Sequence, residues 1–143
     1  MLGTEPEIIE TYVESGDVRI VYWPMLDHGN AGLNAHAASD CIGRQDVDAF
    51  WEIHDRFYAD QNELWGATRE YFVEAAVSVG VDQAEFESCY DNGDGHFTVT
   101  ELDSIRRERG IFNRPTFDIN GQMLLGSQPF STFAGFIDAF LSG

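Results

Sequence analysis

The two cysteines are the residues of this sequence best suited to covalent chemistry, and their spacing limits the reactions that they can perform. Thiol–disulfide exchange needs two cysteines separated by two residues at the start of a helix, because there one thiol has a lowered pKa and a partner within reach. The only cysteines are Cys41 and Cys89, so no such pair exists. Their residue types alone allow either a structural disulfide or two buried free thiols.

A second segment, YDNGDGHFTVTE, imitates a calcium-binding loop. With Gly95 at the sixth position of the pattern, the ligand positions hold Asn92, Asp94, Thr98 and Glu101. The first position, however, is Tyr90, which offers no carboxylate. We therefore expect an ordinary turn and helix start here, with a calcium site as the alternative.

Four histidines show no metal-ligand spacing: His28, His36, His54 and His96. His54 lies on the apolar stripe of a predicted helix, so we expect a buried core histidine at that position. The sequence also has no phosphate-binding loop, no nucleophile elbow and no pair of catalytic carboxylates. It indicates no metal site and no cofactor.

The charge balance restricts the classes of partner. The chain has 25 acidic residues against eight basic ones, all arginine, and a net charge of −17. Such a surface repels nucleic-acid phosphates and anionic lipid, and no apolar run approaches the roughly 18 residues that span a bilayer. We expect no nucleic acid and no membrane as partners. Two origins of the acidity stay open, a high-GC genome that favours arginine codons or a salt-loving host.

The hydrophobic patterns predict one domain over residues 1–143, because the length suits a single core. A β-branched and aromatic run that Pro24 stops predicts a strand over 17–23. Apolar spacings of three and four predict helices over 6–14, 33–42, 47–58, 68–79, 83–90 and 102–109. Asp82 is the expected N-cap of the helix at 83–90.

The end of the chain differs in kind from the helical middle. Residues 115–119 and 122–125 predict two strands joined by Asn120-Gly121, the strongest two-residue hairpin turn. A final helix follows from Phe130, with an apolar stripe that can pack on the hairpin.

The segment GIFNRPTFDINGQMLLGSQPF resembles the end of DsbA-like thioredoxin-fold proteins, with its Pro-Thr, its Asn-Gly turn and its final helix start. The segments VRIVYWPM, NAHAASDCIGRQ, FWEIHDRFYADQNELW and VGVDQAEFESC resemble earlier landmarks of the same family, in the same order. The resemblance implies an α/β (α+β) class, a thioredoxin-like fold with a helical insertion over about 30–109.

By this resemblance, the substrate-facing loop consists of Asn113, Arg114, Pro115 and Thr116. An X-Pro bond can be cis at modest cost, and the family uses a cis bond here to present backbone to an extended peptide or client protein. The resemblance also implies a structural disulfide between Cys41 and Cys89, and a location outside the cytoplasm, although no signal peptide is recognisable in the chain.

The family's Cys-x-x-Cys turn and the first, central strand before it have no counterpart in the sequence. Without that strand, two strand edges would stay unpaired, and unpaired edges invite another chain. We expect a homodimer, a strand-swapped assembly or completion by upstream residues.

We therefore expect a DsbA-like member of the disulfide oxidoreductase and isomerase family that has no thiol exchange activity as a 143-residue chain. The alternatives are a non-catalytic peptide-binding module and a calcium-binding domain.

Overall fold

The structure is a computed structural model, and it describes residues 3–143; Met1 and Leu2 lie outside the described residues. The chain divides into two compact units. Unit 1 comprises residues 1–22 and 107–143, and unit 2 comprises residues 23–106. The prediction of a single domain over 1–143 stays a prediction, and the two units are described separately.

Unit 2 is built of helices, which occupy most of the predicted insertion. They are α2 (Gly29–Gly43), α3 (Val47–Ala59), α4 (Gln61–Leu64), α5 (Arg69–Ser78), α6 (Gln83–Asp91) and α7 (Asp94–Glu108), whose last residues enter unit 1. The helices predicted over 33–42, 47–58, 68–79 and 83–90 are confirmed. One helix, α4, was not predicted, and α7 begins at Asp94, within the segment where a turn and a helix start are expected.

Side-chain caps explain where two of these helices begin. The carboxylate of Asp46 accepts hydrogen bonds from the backbone N–H groups of Asp48 and Ala49 at the start of α3. The Asp82 side chain accepts one from the Glu85 N–H at the start of α6, so the predicted cap is confirmed. Each bond satisfies an N–H group that the first turn of a helix leaves without a partner.

The core of unit 2 lies where α2 packs against α3, α5 and α6. Its largest fully buried side chains are Phe72, Phe86, Ile42, Ile53 and Cys41. His54 is only 7% exposed among them, and its Nδ1 lies 3.0 Å from the Asp55 carboxylate, so the predicted core histidine is confirmed. The apolar stripes that the sequence predicts for these helices therefore face a common core.

A buried ion pair attaches the start of unit 2 to α7. Arg106, which is 3% exposed, lies 2.7 Å from Asp103 and 3.0 Å from Asp27. The Leu26 N–H donates to the same Asp103 carboxylate at 2.9 Å, and the Trp23 indole N–H donates to the Leu102 carbonyl at 2.8 Å. Because a buried charge is costly unless it is paired, these contacts fix the extended segment that precedes α2.

Unit 1 combines a short helical segment, a hairpin and the last helix. Helix α1 (Glu5–Ile8) runs directly into a π-helical turn (Ile9–Val13), and the later elements are β1 (Thr116–Ile119), β2 (Gln122–Leu125) and α8 (Phe130–Leu141). The strands are antiparallel, and Asn120 and Gly121 both have positive φ, at 48° and 93°. These values fit the two-residue turn that the Asn-Gly pair predicts.

The predicted strand over 17–23 is wrong, because no second strand pairs with it among residues 3–143. The segment has no regular secondary structure, but its burial still alternates as in a strand, with Val18 and Ile20 packed on the apolar cluster of unit 1 while Arg19 and Val21 are exposed. A strand becomes regular structure only through hydrogen bonds to a neighbour. The segment therefore has the side-chain pattern of a strand without the partner.

Candidate functional site

The four residues of the predicted loop lie together at the entrance to β1. Asn113 and Arg114 are exposed, and the Arg114–Pro115 peptide bond is cis. The Thr116 hydroxyl donates a hydrogen bond of 2.6 Å to the Asn113 carbonyl, which closes the loop on itself. The Pro115 carbonyl accepts a 2.9 Å bond from the Gly126 N–H, which joins the loop to the chain after β2.

The register of the hairpin decides which backbone groups of β1 point outward. Ile119 lies opposite Gln122 beside a two-residue turn, so this pair and the pair Phe117–Leu124 exchange hydrogen bonds inside the hairpin. The N–H and C=O groups of Thr116 and Asp118 then point to the opposite edge. In the described part of the chain the sheet has two strands, so this edge of β1 has no neighbouring strand.

Asp118 fixes the far end of the edge. One carboxylate oxygen accepts a 2.6 Å bond from the Gly121 N–H in the turn, and the other lies 2.9 Å from the Arg109 guanidinium. The carboxylate is thereby neutralised locally and tied to the turn, which keeps β1 in one register. The outward N–H and C=O groups along this edge of β1 are therefore held in a defined arrangement.

Apolar side chains hold this hairpin from one face. Phe117, Ile119 and Leu124 pack on the buried Phe133 and Ile137 of α8, and the Phe117 and Phe133 rings meet edge to face at 4.7 Å. Burial on one face of a sheet strongly specifies which side chains point inward. The position of Thr116 and Asp118 on the outer row follows from this packing.

The two cysteines form a disulfide within unit 2, as the resemblance implies. Cys41 on α2 and Cys89 on α6 have their sulfur atoms 2.02 Å apart and their Cα atoms 5.8 Å apart. Cys41 is 1% exposed and belongs to the core cluster, and Cys89 packs against that cluster half-buried. Neither cysteine of the chain is a free thiol.

The segment that imitates a calcium loop is a helix–turn–helix. Residues 90 and 91 end α6, Asn92 is its C-cap, and Asp94 already begins α7. The Thr98 hydroxyl accepts a 2.7 Å bond from Arg44. A loop of twelve residues, which the ligand geometry of such a calcium site requires, does not form in this segment, so the structure gives the calcium alternative no support. Among residues 3–143 no group of three or more potential ligands is placed to hold a metal ion.

Gly95 has a packing role instead of a metal-loop role. A Cβ atom added there would meet the Ala37 carbonyl oxygen and would lie 2.8 Å from the Cys41 sulfur. The glycine thus lets α7 approach α2 directly beside the disulfide. The calcium-like pattern placed Gly95 at a position that requires glycine, but the structure requires glycine there because α7 lies so close to α2.

Two histidines of unit 2, His36 and His96, have lowered pKa values. Burial, helped by the nearby His54 and His28 and opposed by Asp103, lowers the pKa of His36 to about 4. Burial also lowers the pKa of His96, whose Nε2 lies 3.1 Å from the Asn34 side-chain oxygen. The Nδ1 of His96 is buried without a hydrogen-bond partner in the described chain. A buried neutral imidazole resists protonation, so protonating these groups at low pH lowers the stability of unit 2.

A family model described as thioredoxin matches residues 2–139. The chain belongs to the thioredoxin family. The predicted α+β thioredoxin-like fold with a helical insertion is therefore confirmed. None of the helices described between residues 3 and 143 is both long and apolar enough to span a membrane.

One curated relative is a disulfide bond formation protein D of Bacillus subtilis. It is 29% identical over 56 residues, which cover 39% of this chain and 25% of the relative. The chain thus aligns with about a quarter of that protein's length. No solved structure matches the chain.

Sequence reasoning missed the buried network of Arg106, Asp103 and Asp27. Charged residues are rarely buried, so the default expectation is exposure. The spacing of Asp103 and Arg106 by three residues on one helix was the available signal, because such residues are neighbours on the helix surface.

Proposed function

We propose that this thioredoxin-family chain binds extended peptide segments of client proteins along β1 and its entrance loop, and that the 143-residue chain itself does not exchange thiols. The observation that carries the proposal is the open edge of β1, next to the exposed Asn113 and Arg114. The thioredoxin family and the name of the Bacillus subtilis relative, a disulfide bond formation protein, support a role in the chemistry of disulfide proteins.

Peptide binding follows from the backbone geometry. An extended peptide laid beside β1 can exchange hydrogen bonds with the outward groups of Thr116 and Asp118, as in other modules that recognise a strand by adding it to a sheet. Main-chain bonds tolerate many sequences. The neighbouring Arg114, which is exposed, can select among them by charge.

The position of the sulfur atoms supports the proposal that the chain does not exchange thiols. Disulfide exchange requires an attacking thiolate to reach one sulfur atom in line. Cys41 is buried at 1% exposure in the core of unit 2, and Cys89 is tied to it. The pair supports the helical unit and is poorly placed as a catalyst. Such a bond persists in an oxidising compartment, which supports a location outside the cytoplasm.

An insulin-reduction assay tests the redox part. With dithiothreitol as the reductant, we expect the turbidity rate with this chain to equal the uncatalysed rate. The control is the variant with both Cys41→Ala and Cys89→Ala, which should give the same rate. Catalysis that disappears in the control would contradict the proposal, because these cysteines would then be the catalytic pair.

Fluorescence anisotropy tests the peptide part. We expect a fluorescein-labelled Val-Thr-Val-Thr-Val-Thr peptide to bind, and Arg114→Glu to change the preference between its lysine-tagged and glutamate-tagged forms. Arg56→Glu, which alters an arginine of unit 2 that donates to Ser78, is the matched control. Equal effects of the two charge reversals would mean that net charge, and not the loop, governs binding.

A further inference from the structure

We infer that the outer edge of β1 also pairs with the same edge of a second copy of this chain, so that a dimer and a bound peptide compete for Thr116 and Asp118. The part about competition rests on the proposed function. The dimer itself rests on the hairpin, on the chain around it and on the distribution of charge.

The apolar support in unit 1 is wider than the two-stranded sheet that it carries. The cluster of Ile8, Tyr12, Phe133 and Ile137 is covered by the hairpin and also by Val18 and Ile20. The segment with Val18 and Ile20 has no regular secondary structure and forms no ladder with β1. The cluster thus supports two strand-like segments that do not pair with each other. The outer backbone groups of β1 have no neighbouring strand in the described chain, and an unpaired strand edge tends to pair with another chain.

The sequence of β1 allows an antiparallel pairing with itself. A twofold axis through Phe117 places Thr116 opposite Asp118 of the partner subunit, and the outward groups of both residues then exchange hydrogen bonds. No like charges stand opposite each other in this register. Pro115 falls at a position where its missing N–H is not needed, because the two hydrogen-bonded pairs are formed by Thr116 and Asp118.

The charge distribution favours this face over the rest of the surface. Unit 2 carries 17 acidic residues and four arginines, whereas unit 1 carries eight acidic residues and four arginines, and its residues 107–143, which include the hairpin, carry three of each. Two chains of net charge −17 repel each other most where their helical units approach. The hairpin region has no net charge, so a second copy meets the least repulsion there.

Competition follows because both partners need the same backbone groups. A strand edge can accept one neighbour at a time. The dimer would therefore shield the peptide edge at high protein concentration, and a peptide would dissociate the dimer. The chain would control its own binding site through concentration and salt.

Two substitutions at one residue test the dimer. Thr116→Asp places a carboxylate opposite Asp118 of the partner subunit at both ends of the twofold pairing, whereas Thr116→Arg places a guanidinium there. Both remove the same bond to the Asn113 carbonyl, so their folding costs are matched. Cross-strand charge pairs favour opposite signs, so we expect the dimer of the arginine variant to be about tenfold tighter than that of the aspartate variant at low salt.

Analytical ultracentrifugation from micromolar to millimolar chain gives the readout. The expected result is a dimer that strengthens with salt in the unaltered chain, because salt screens the mutual repulsion. Strictly monomeric chain over this range overturns the inference. Equal dimerisation of the two Thr116 variants also overturns it, because the contact then lies on another surface. Phe97→Ser, at an exposed residue of α7, should leave the dimer unchanged.

The same labelled Val-Thr peptide separates the inference from the proposed function. Dissociation of the dimer by the peptide supports one shared edge. Binding of the peptide to an intact dimer overturns the shared edge and leaves the proposed function standing. A dimer with the expected response to the Thr116 variants but without peptide binding would contradict the proposed function alone.

Discussion

The two units of the chain bury apolar side chains in different ways. Unit 2 surrounds Phe72 and Phe86 with helices on several sides and ties two of those helices by the Cys41–Cys89 disulfide. Unit 1 places one cluster beneath a two-stranded hairpin and a segment without a ladder. Helices complete their own backbone hydrogen bonds, whereas strands depend on neighbours. The open edge therefore follows from the β content of unit 1.

Removing the disulfide should have the largest effect, and it should fall on unit 2. The pair closes a sequence separation of 48 residues, so the joint substitution Cys41→Ala and Cys89→Ala should lower the free energy of unfolding by about 4 kcal/mol. Chemical denaturation with hydrogen exchange gives the readout. Loss of protection that appears first in the β hairpin would contradict the division between the units.

Acid should weaken unit 2 through His36. Its pKa is about 4 in the folded chain, below the ordinary value of 6.5, so its contribution to stability is complete above pH 6.5 and is lost as the pH falls towards 4. The full loss is up to about 3 kcal/mol. His36→Gln provides the reference, because the difference between the two pH profiles isolates this group from the carboxylates. Parallel profiles between pH 4 and 6.5 would show that His36 is not held neutral.

Two glycine substitutions compare the packing of the units. Gly95→Ala should cost about 2 kcal/mol, since the new methyl group meets the Ala37 carbonyl and the Cys41 sulfur. Gly135→Ala on α8, where the added atom meets open space, should stabilise the chain by roughly 0.5–1 kcal/mol. Thermal melts measure both shifts. A tolerated Gly95→Ala would mean that α7 does not approach α2 so closely.

The smallest effect concerns the support beneath the hairpin. The Tyr12 hydroxyl donates a 2.8 Å hydrogen bond to Asp138, which joins the first turns of unit 1 to α8. Tyr12→Phe should cost about 1 kcal/mol, because it removes the bond and keeps the ring. Urea unfolding provides the measurement. An unchanged midpoint would assign no stability to this contact.

Many of the helices and the hairpin turn could be predicted from local sequence signals. The apolar spacing of α3, the Asp82 cap and the Asn120-Gly121 turn each depend on residues close in sequence. The strand over 17–23 was predicted wrongly because its hydrogen-bonded partner is not a local property. The close contact of Gly95 with Ala37 and Cys41 was missed because it joins residues far apart in sequence.

In the candidate site, too, some features could be predicted from the sequence and others could not. The loop from Asn113 to Thr116 was predicted from a family resemblance; its Arg114–Pro115 bond is cis, as the resemblance implies, and its substrate-facing role stays a prediction. The outward direction of Thr116 and Asp118 follows only from the register of the hairpin. Periodicity gives the face of a strand, but the open edge requires knowledge of the whole sheet.

Amide hydrogen exchange with and without the Val-Thr peptide tests the central claim most directly. In the free, dilute chain, the Phe117 and Ile119 amides should exchange slowly, because they bond to β2, and the Thr116 and Asp118 amides should exchange fast. The account predicts that the peptide slows exchange at Thr116 and Asp118 and leaves unit 2 unchanged. Peptide-induced protection in unit 2 with fast exchange at the edge of β1 would contradict it.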